Sequence, residues 1–181
     1  YKPTGTGTSN PVELMNQKES YQDGNYFRGS VKATVNIKPV QGLRISGFAA
    51  VEEGDNRNFW YNYQINTDEA GSGKAGRGSN FNFSKLFEAT ADYSRSFGKH
   101  NVAAVLGFSY QNFLYDGQDI SNKGFPTDDA KYYQIGNGDA SKEYLNASSY
   151  RNSNTLAAMF GRVNYNYADK YLVSASIRRE G

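Results

Sequence analysis

Asn25-Tyr26-Phe27-Arg28-Gly29-Ser30-Val31-Lys32-Ala33-Thr34-Val35-Asn36-Ile37-Lys38, then Pro39-Val40-Gln41-Gly42, then Leu43-Arg44-Ile45-Ser46-Gly47-Phe48-Ala49-Ala50-Val51-Glu52-Glu53: this stretch decides the fold. In its first arm the odd positions Phe27, Gly29, Val31, Ala33, Val35 and Ile37 are apolar or small. The even positions Arg28, Ser30, Lys32, Thr34, Asn36 and Lys38 are polar. A period of two marks a strand with one apolar and one wet face. Lys38 to Gly42 carries turn chemistry, and the alternation resumes with Leu43, Ile45, Gly47, Ala49 and Val51 on the apolar side. The stretch reads as a hairpin of two long strands, the first alternating for about twelve residues where ordinary strands cluster near five or six.

Composition narrows the setting of such a hairpin. The chain has 181 residues, of which 38% are hydrophobic and 15% aromatic, including 15 Tyr and 11 Phe. Its mean hydropathy is -0.75. That is too polar for a helical membrane protein and too aromatic for a disordered chain. No apolar run approaches the roughly 18 residues that a spanning helix requires. A membrane β-barrel stays open, because its strands hide only alternate residues in lipid. The absence of Cys removes disulfides and thiolate metal sites, and a formal net charge of +2 with scattered basic residues argues against a nucleic-acid partner. The chain starts at Tyr1 without a signal-peptide pattern and runs out at Arg178-Arg179-Glu180-Gly181 within strand-like sequence, so it reads as a piece of a longer polypeptide.

Outward from the first hairpin, residues 1–24 are rich in Gly, Thr, Ser, Asn and Pro and read as a loop end with a helical turn after Asn10 and Pro11. Residues 54–80 and 116–154 read as long loops, and 25–53, 81–115 and 155–181 as strands. In the second strand region Phe81, Phe83, Phe87, Ala89, Ala91, Tyr93 and Phe97 alternate with polar neighbours, and Lys85 and Arg95 interrupt the apolar face. A charge at the bilayer midplane costs about 2–4 kcal/mol, so these two belong near an interface or a bulge. Gly98 to Asn101 supplies a second tight turn and Ala168-Asp169-Lys170 a third. Tight turns therefore alternate with long loops, as in outer-membrane barrels with short periplasmic turns and long external loops. Aromatic residues gather near strand ends, as interfacial girdles require. The expected fold class is all-β: an antiparallel up-and-down transmembrane β-barrel, of which about six strands in three hairpins are present.

The last hairpin adds a resemblance. Phe160-Gly161-Arg162-Val163-Asn164-Tyr165-Asn166-Tyr167-Ala168-Asp169-Lys170-Tyr171-Leu172-Val173-Ser174-Ala175-Ser176-Ile177-Arg178-Arg179-Glu180-Gly181 resembles a barrel hairpin of the SusC/RagA-like TonB-dependent outer-membrane transporters. Asn10-Pro11, the Lys38-to-Leu43 turn and His100-Asn101 leading into Val102 to Tyr110 are similar to the same family in the same order. Glu180-Gly181 departs from the Asp-Gly, Ser-Ser and aromatic sequence more usual there. The resemblance implies a 22-stranded barrel closed around an N-terminal plug, a TonB-contacting segment, and a SusD-like surface lipoprotein as lid. Neither plug nor TonB-contacting segment is among these residues. It further implies active import of oligosaccharides or peptides across the outer membrane of a Gram-negative bacterium, with no enzyme activity and no cofactor. The rival reading is a secreted, soluble β-sandwich that binds glycans or acts as an adhesin.

Candidate site residues follow from composition and parity. Phe59, Trp60, Tyr61 and Tyr63, with Tyr132, Tyr133 and Tyr144, are candidates for contact with substrate or lid, since flat apolar rings beside hydrogen-bonding groups suit sugars, peptides and protein partners. The plainer reading is that they pack loops together. Arg28, Lys32, Arg44, Glu52, Glu88, Asp92 and Arg162 are candidates for the lumen, whereas Val31, Ala33, Val35, Ile45, Gly47 and Ala49 are expected to face lipid. Asp116, Asp119, Asp128, Asp129 and Asp139 hold open a calcium site in the 116–139 loop, although no EF-hand spacing is present. Gly71-Ser72-Gly73-Lys74-Ala75-Gly76 matches a dinucleotide fingerprint without the surrounding βαβ unit, so it reads as a loop tip. His100, the one His, lies in a turn and reads as solvated.

Overall fold

The computed structural model describes residues 11–64, 72–139 and 141–181. After a short helix α1 (Pro11–Asn16), six strands follow: β1 (Lys18–Asn36), β2 (Leu43–Asn62), β3 (Gly73–Phe97), β4 (His100–Phe125), β5 (Asn146–Tyr167) and β6 (Tyr171–Glu180). Two 3-10 turns, Lys131–Tyr133 and Ile135–Asn137, lie between β4 and β5. The strands form one sheet in sequence order, β1-β2-β3-β4-β5-β6, with β1 and β6 at its edges. The all-β, up-and-down architecture expected from the sequence is what the chain adopts.

Strand bounds differ from the expected ones. β1 begins at Lys18, β2 continues to Asn62, β3 starts at Gly73, β4 reaches Phe125 and β5 starts at Asn146. Much of the sequence assigned to loops at 54–80 and 116–154 is therefore strand. A tilted strand crosses the hydrocarbon with about 9–11 residues. At 25 and 26 residues, β3 and β4 are more than twice that length. The glycine fingerprint is part of this correction, because Gly73 to Gly76 opens β3 and no helix follows it. Gly71 and the Asn10 of the family-like Asn-Pro pair lie outside the described residues, as do residues 1–9.

Tight turns close three hairpins. At the first, Val40 N donates to Ile37 O and Leu43 N to Val40 O, both at 3.0 Å, and Gly42 takes φ +91°. Gly98 takes φ +59° in the second. In the third, Lys170 N donates to Tyr167 O at 3.0 Å, while Ala168 and Asp169 both sit at left-handed φ, +51° and +54°. Two consecutive left-handed residues match the right-handed twist of the strands they join, and Asn166 clamps the turn by bonding Asp169 N at 3.0 Å.

The chain divides into two compact units. The second comprises Tyr26–Glu53, Asn82–Leu114 and Asn152–Gly181. Here the alternation works as the first hairpin suggested. On the polar side Thr34 Oγ1 and Ser46 Oγ lie 3.2 Å apart and Ser174 Oγ donates to Asn164 Oδ1 at 2.7 Å. On the other side, register places Val163 opposite Ala175, Tyr165 opposite Val173 and Tyr167 opposite Tyr171. Leu43, Tyr93, Leu106, Val163 and Ile177 line an open apolar groove of about 530 Å³. Val31, Val35 and Ile45 are exposed. Rings cluster beside the turns: Tyr165 Oη lies 2.7 Å from His100 Nδ1, the Tyr167 ring is 4.9 Å from the imidazole, and Tyr171 stacks on Tyr167. His100, itself exposed, thus makes ring contacts with Tyr165 and Tyr167 beside the turn. Arg95 lies over the Phe97 ring at 4.6 Å, next to the Gly98 turn, where an arginine keeps its charge in water.

Candidate functional site

The polar side of the second unit gathers the lumen candidates. Arg28 pairs with Glu52 at 2.6 Å and Arg44 with Asp92 at 3.8 Å. Lys32 and Glu88 line a common depression with Ser46, Phe48 and Thr90. Arg162 stands apart on β5, opposite Ser176. Sequence parity did not flag Phe48 and Phe160 on this side. Phe160 lies against Gly107, whose missing side chain leaves the ring its space.

The first unit, which holds residues up to Asn25, Gly54–Phe81 and Tyr115–Arg151, carries a core of its own. Tyr61, Ala75, Phe125, Tyr132 and Ile135 are buried together, with Phe59 and Tyr63 packed on them. Tyr61 meets Tyr63 and Phe125 edge-on at 5.3 and 5.8 Å, and Phe59 lies 5.5 Å from Tyr132. Gly73 leaves room for the Tyr61 hydroxyl, which donates to Asp128 Oδ1 at 2.7 Å. The same carboxylate accepts Gln64 N at 3.1 Å. Desolvation and that bond to Asp128 push the Tyr61 hydroxyl far above the ordinary tyrosine range, so it stays a donor. The Tyr132 hydroxyl, bonded to that of Tyr133, is pushed up to about 12.

An ion pair ties the 3-10 segment to β1. Lys131 Nζ lies 2.7 Å from Glu19 Oε2 and 5.2 Å from the Tyr63 ring centroid, while Tyr63 Oη donates to Glu19 at 3.2 Å. The hydrogen bond from Lys131 holds the Glu19 carboxyl below its ordinary range, and the bond to Glu19 holds the Lys131 ammonium above its own. Asn122, 3% exposed, donates to Ile135 O at 3.2 Å and fastens the second 3-10 turn to β4.

These placements correct the ligand-contact expectation for part of its set. Tyr61 is 0% and Tyr132 7% exposed, so both serve packing, with Phe59 and Tyr63 seated against them. The physical reason is that β2 runs on through Asn62. Strand alternation sends Phe59 and Tyr61 into the core and Trp60 to the opposite face. Tyr133 and Tyr144 are exposed at 66% and 51%, and Lys123 Nζ lies 5.9 Å from the Tyr144 ring centroid. The carboxylates proposed for calcium are dispersed: Asp116 faces Arg151 at 3.7 Å, Asp128 serves Tyr61, and Asp139 accepts Ser141 Oγ at 2.5 Å and Ser141 N at 3.0 Å, which together lower its pKa. No group of three potential metal ligands gathers among the described residues.

On the face bearing Trp60, glycines recur beneath larger side chains. The Trp60 indole lies against Gly76, the Asn58 and Asp119 side chains against Gly78, and the Tyr150 ring against Gly117. Tyr150 Oη donates to Asn80 Oδ1 at 3.1 Å and Gln22 Nε2 to Asn56 Oδ1 at 3.0 Å. Sequence reasoning missed Asn58, Asn80 and Tyr150. The available signal was the alternate glycines Gly76 and Gly78, set aside with the loop-like composition around them.

A meander with tight turns, one apolar exposed face and strands of this length is part of the wall of a transmembrane β-barrel. No family model matches the chain. Its sequence is 36% identical over 96 residues to TonB-dependent receptor P3 of Formosa agariphila, covering 53% of this chain and 9% of that protein. It is 37% identical over 93 residues to TonB-dependent receptor P39 of the same organism, covering 50% and 8%. The chain thus spans less than a tenth of the curated relatives it matches. In structure it is similar to the RagAB peptide transporter, with a TM-score of 0.83 at 20% identity over 93% of this chain and 19% of that one. The RagAB peptide importer in its open-open state gives the same TM-score at 21% identity. The resemblance to the barrel of SusC/RagA-like TonB-dependent transporters, read from the final hairpin, is borne out in sequence by the receptors and in fold by RagAB.

Proposed function

We propose that this chain is a section of the barrel of an outer-membrane active importer in a Gram-negative bacterium, taking up oligosaccharides or peptides. The supporting observation is the pairing of a six-stranded meander, polar on one side and openly apolar on the other, with sequence likeness to TonB-dependent receptors. Import would be energised through TonB acting on a plug elsewhere in the polypeptide, and a SusD-like surface lipoprotein would close over the external loops. The residues here supply wall, selectivity surface and docking loops, with no covalent chemistry. Arg28, Lys32, Arg44, Glu52, Glu88, Asp92 and Arg162 are the lumen side of that proposal, and Tyr133, Tyr144 and Trp60 remain its accessible ring candidates. A secreted β-sandwich would need a second sheet against the apolar face, and the described residues form one sheet.

The test is uptake by cells producing the intact polypeptide. Import of oligosaccharide or peptide that stops when TonB is deleted supports the proposal, as does co-purification of a surface lipoprotein. Uptake indifferent to TonB, or recovery of the polypeptide in the soluble fraction without detergent, overturns it.

A further inference from the structure

Within the first unit an open cavity of about 720 Å³ lies beside the aromatic core, and four successive strands contribute to it. β2 brings Arg57, β3 brings Arg77 and Ser79, β4 brings Gln118 and Ile120, and β5 brings Ser149. In β2 and β3 these are odd positions, the parity on which the first hairpin carries its apolar row. Along β3 that row passes from Phe87, Phe83 and Phe81 to Ser79 and Arg77, and along β2 from Ile45, Ala49 and Val51 to Asp55 and Arg57. A lipid-directed row that turns charged along a single strand marks where the strand leaves hydrocarbon for the headgroup region.

The two arginines differ in how they are held. The Arg77 guanidinium carbon lies 4.9 Å from the Phe59 ring centroid, a stacked seat that leaves its N–H edge for another partner. Among the described residues no carboxylate pairs with it. Arg57 Nη2 stands 3.5 Å from Asp55 and 3.8 Å from Asp23, a loose ion pair with a side chain still 45% exposed. Asp119 reaches the rim of the cavity, but its carboxylate lies over Gly78 on the Trp60 face. Ser79, Gln118 and Ser149 add neutral donors from three strands.

We infer that this cavity binds a phosphate monoester carried by a lipid headgroup, with Arg57 and Arg77 as its cationic partners and Ser79, Gln118 and Ser149 as its neutral ones. A carboxylate is planar, and a single arginine fork satisfies it. A phosphate monoester carries three terminal oxygens and a charge of about −1.5 to −2 at neutral pH, which suits donors arriving from four strands. Phe59 and Ile120 offer apolar wall to the carbon stem behind the phosphate. The lipid source rests on the barrel reading, whereas the phosphate chemistry rests on the side chains alone.

The experiment uses the intact polypeptide in dodecyl maltoside, titrated calorimetrically with dioctanoyl phosphatidic acid, dioctanoyl phosphatidylcholine and inorganic phosphate. Phosphatidic acid should bind and phosphatidylcholine should not. Arg77→Gln should weaken binding roughly 3- to 10-fold, the scale of one partly exposed charged contact. Arg77→Lys, which keeps the charge without the fork, should fall between that variant and the parent. Arg57→Gln should cost less, and Asp55→Asn, which releases Arg57, should tighten binding about 2-fold. Lys170→Gln, the same change of charge at the third tight turn, should alter nothing. Variants are compared only where their strand circular dichroism matches the parent. Phosphatidic acid that inorganic phosphate does not displace assigns the site to a lipid headgroup; equal affinity for the two assigns the same site to a free phosphorylated solute. Binding of neither, equal binding of phosphatidylcholine, or binding unchanged in both Arg77→Gln and Arg57→Gln overturns the assignment. If nothing binds while the polypeptide still requires detergent, the site falls and the barrel reading stands. If the polypeptide is recovered without detergent and still binds inorganic phosphate, the site stands and the barrel reading falls.

Discussion

The two units are woven from the same strands, yet they satisfy the hydrophobic effect in different ways. Among the described residues, five of the six buried hydrophobic side chains, Tyr61, Ala75, Phe125, Tyr132 and Ile135, lie in the first unit. The second contributes only Ala158, and instead leaves Val31, Val35, Leu106, Val163, Val173 and Ile177 exposed along its strands. A strand segment with a protein core of its own behaves as a small globular protein. A segment whose apolar row is open needs lipid to cover it, and the difference is one of solvent.

That contrast is broken most sharply at Tyr61. Replacing it with Ala should cost the first unit about 3–5 kcal/mol, because a filled aromatic site is emptied and Asp128 loses its donor. Amide hydrogen exchange should accelerate around 122–139 and stay unchanged in the second unit. Equal acceleration in both would show that they are one cooperative body. The converse change is Leu106→Arg, at a residue 62% exposed in the open apolar groove. In lipid vesicles a charge on this face should cost about 2–4 kcal/mol in guanidinium unfolding. A change within about 0.5 kcal/mol, the range of ordinary surface substitutions, would mean that lipid does not cover this face.

The same contrast explains what could be read in advance. Where lipid is the partner, every second residue must be apolar, and the hairpins at Asn25 to Glu53 and Thr155 to Arg179 declare themselves by period. In the first unit the strands have a core on one face and a polar, glycine-floored surface on the other. Asn56, Asn58, Gly76 and Gly78 therefore read as loop, although they are strand residues. Consecutive Phe59, Trp60 and Tyr61 looked like one aromatic surface for the same reason. Only the extension of β2 reveals that they alternate between core and open face. The partners of Tyr61 and Glu19, namely Asp128 and Lys131, sit 67 and 112 residues away, which no local pattern can disclose.

Smaller changes sharpen the comparison inside the second unit. Gly107→Ala puts a methyl group into the ring of Phe160 and should cost about 1–3 kcal/mol by overpacking, unless Phe160→Leu is made with it. Recovery in that pair, measured by the unfolding midpoint, would confirm that the glycine is there for the ring. Ala168→Gly acts in the opposite direction. Ala168 holds φ +51° in the last turn, a region costly for a residue with a Cβ, so Gly should stabilise the hairpin by about 1 kcal/mol. Destabilisation instead would mean that chain entropy outweighs the relieved strain.

The smallest expected effect is electrostatic and belongs to the first unit alone. Glu19, ordinarily titrating at 4.5, is held lower by its hydrogen bond from Lys131. Its contribution is present above the ordinary value and fades as pH falls through the lowered one. Lys131, ordinarily at 10.5, is held higher by Glu19, so its contribution is complete below 10.5 and is lost as pH rises through the raised value. Between these limits the pair should hold the 3-10 segment with no pH dependence of its own. Both side chains are partly exposed, at 26% and 38%, so salt should weaken the link. Limited proteolysis between β4 and β5 should therefore accelerate below about pH 4 in the parent, within the acidic range where carboxylates titrate. In Lys131→Met it should already be faster at pH 7 and lose its salt dependence. An acid limb that survives unchanged in both Lys131→Met and Glu19→Gln would assign it to another carboxylate.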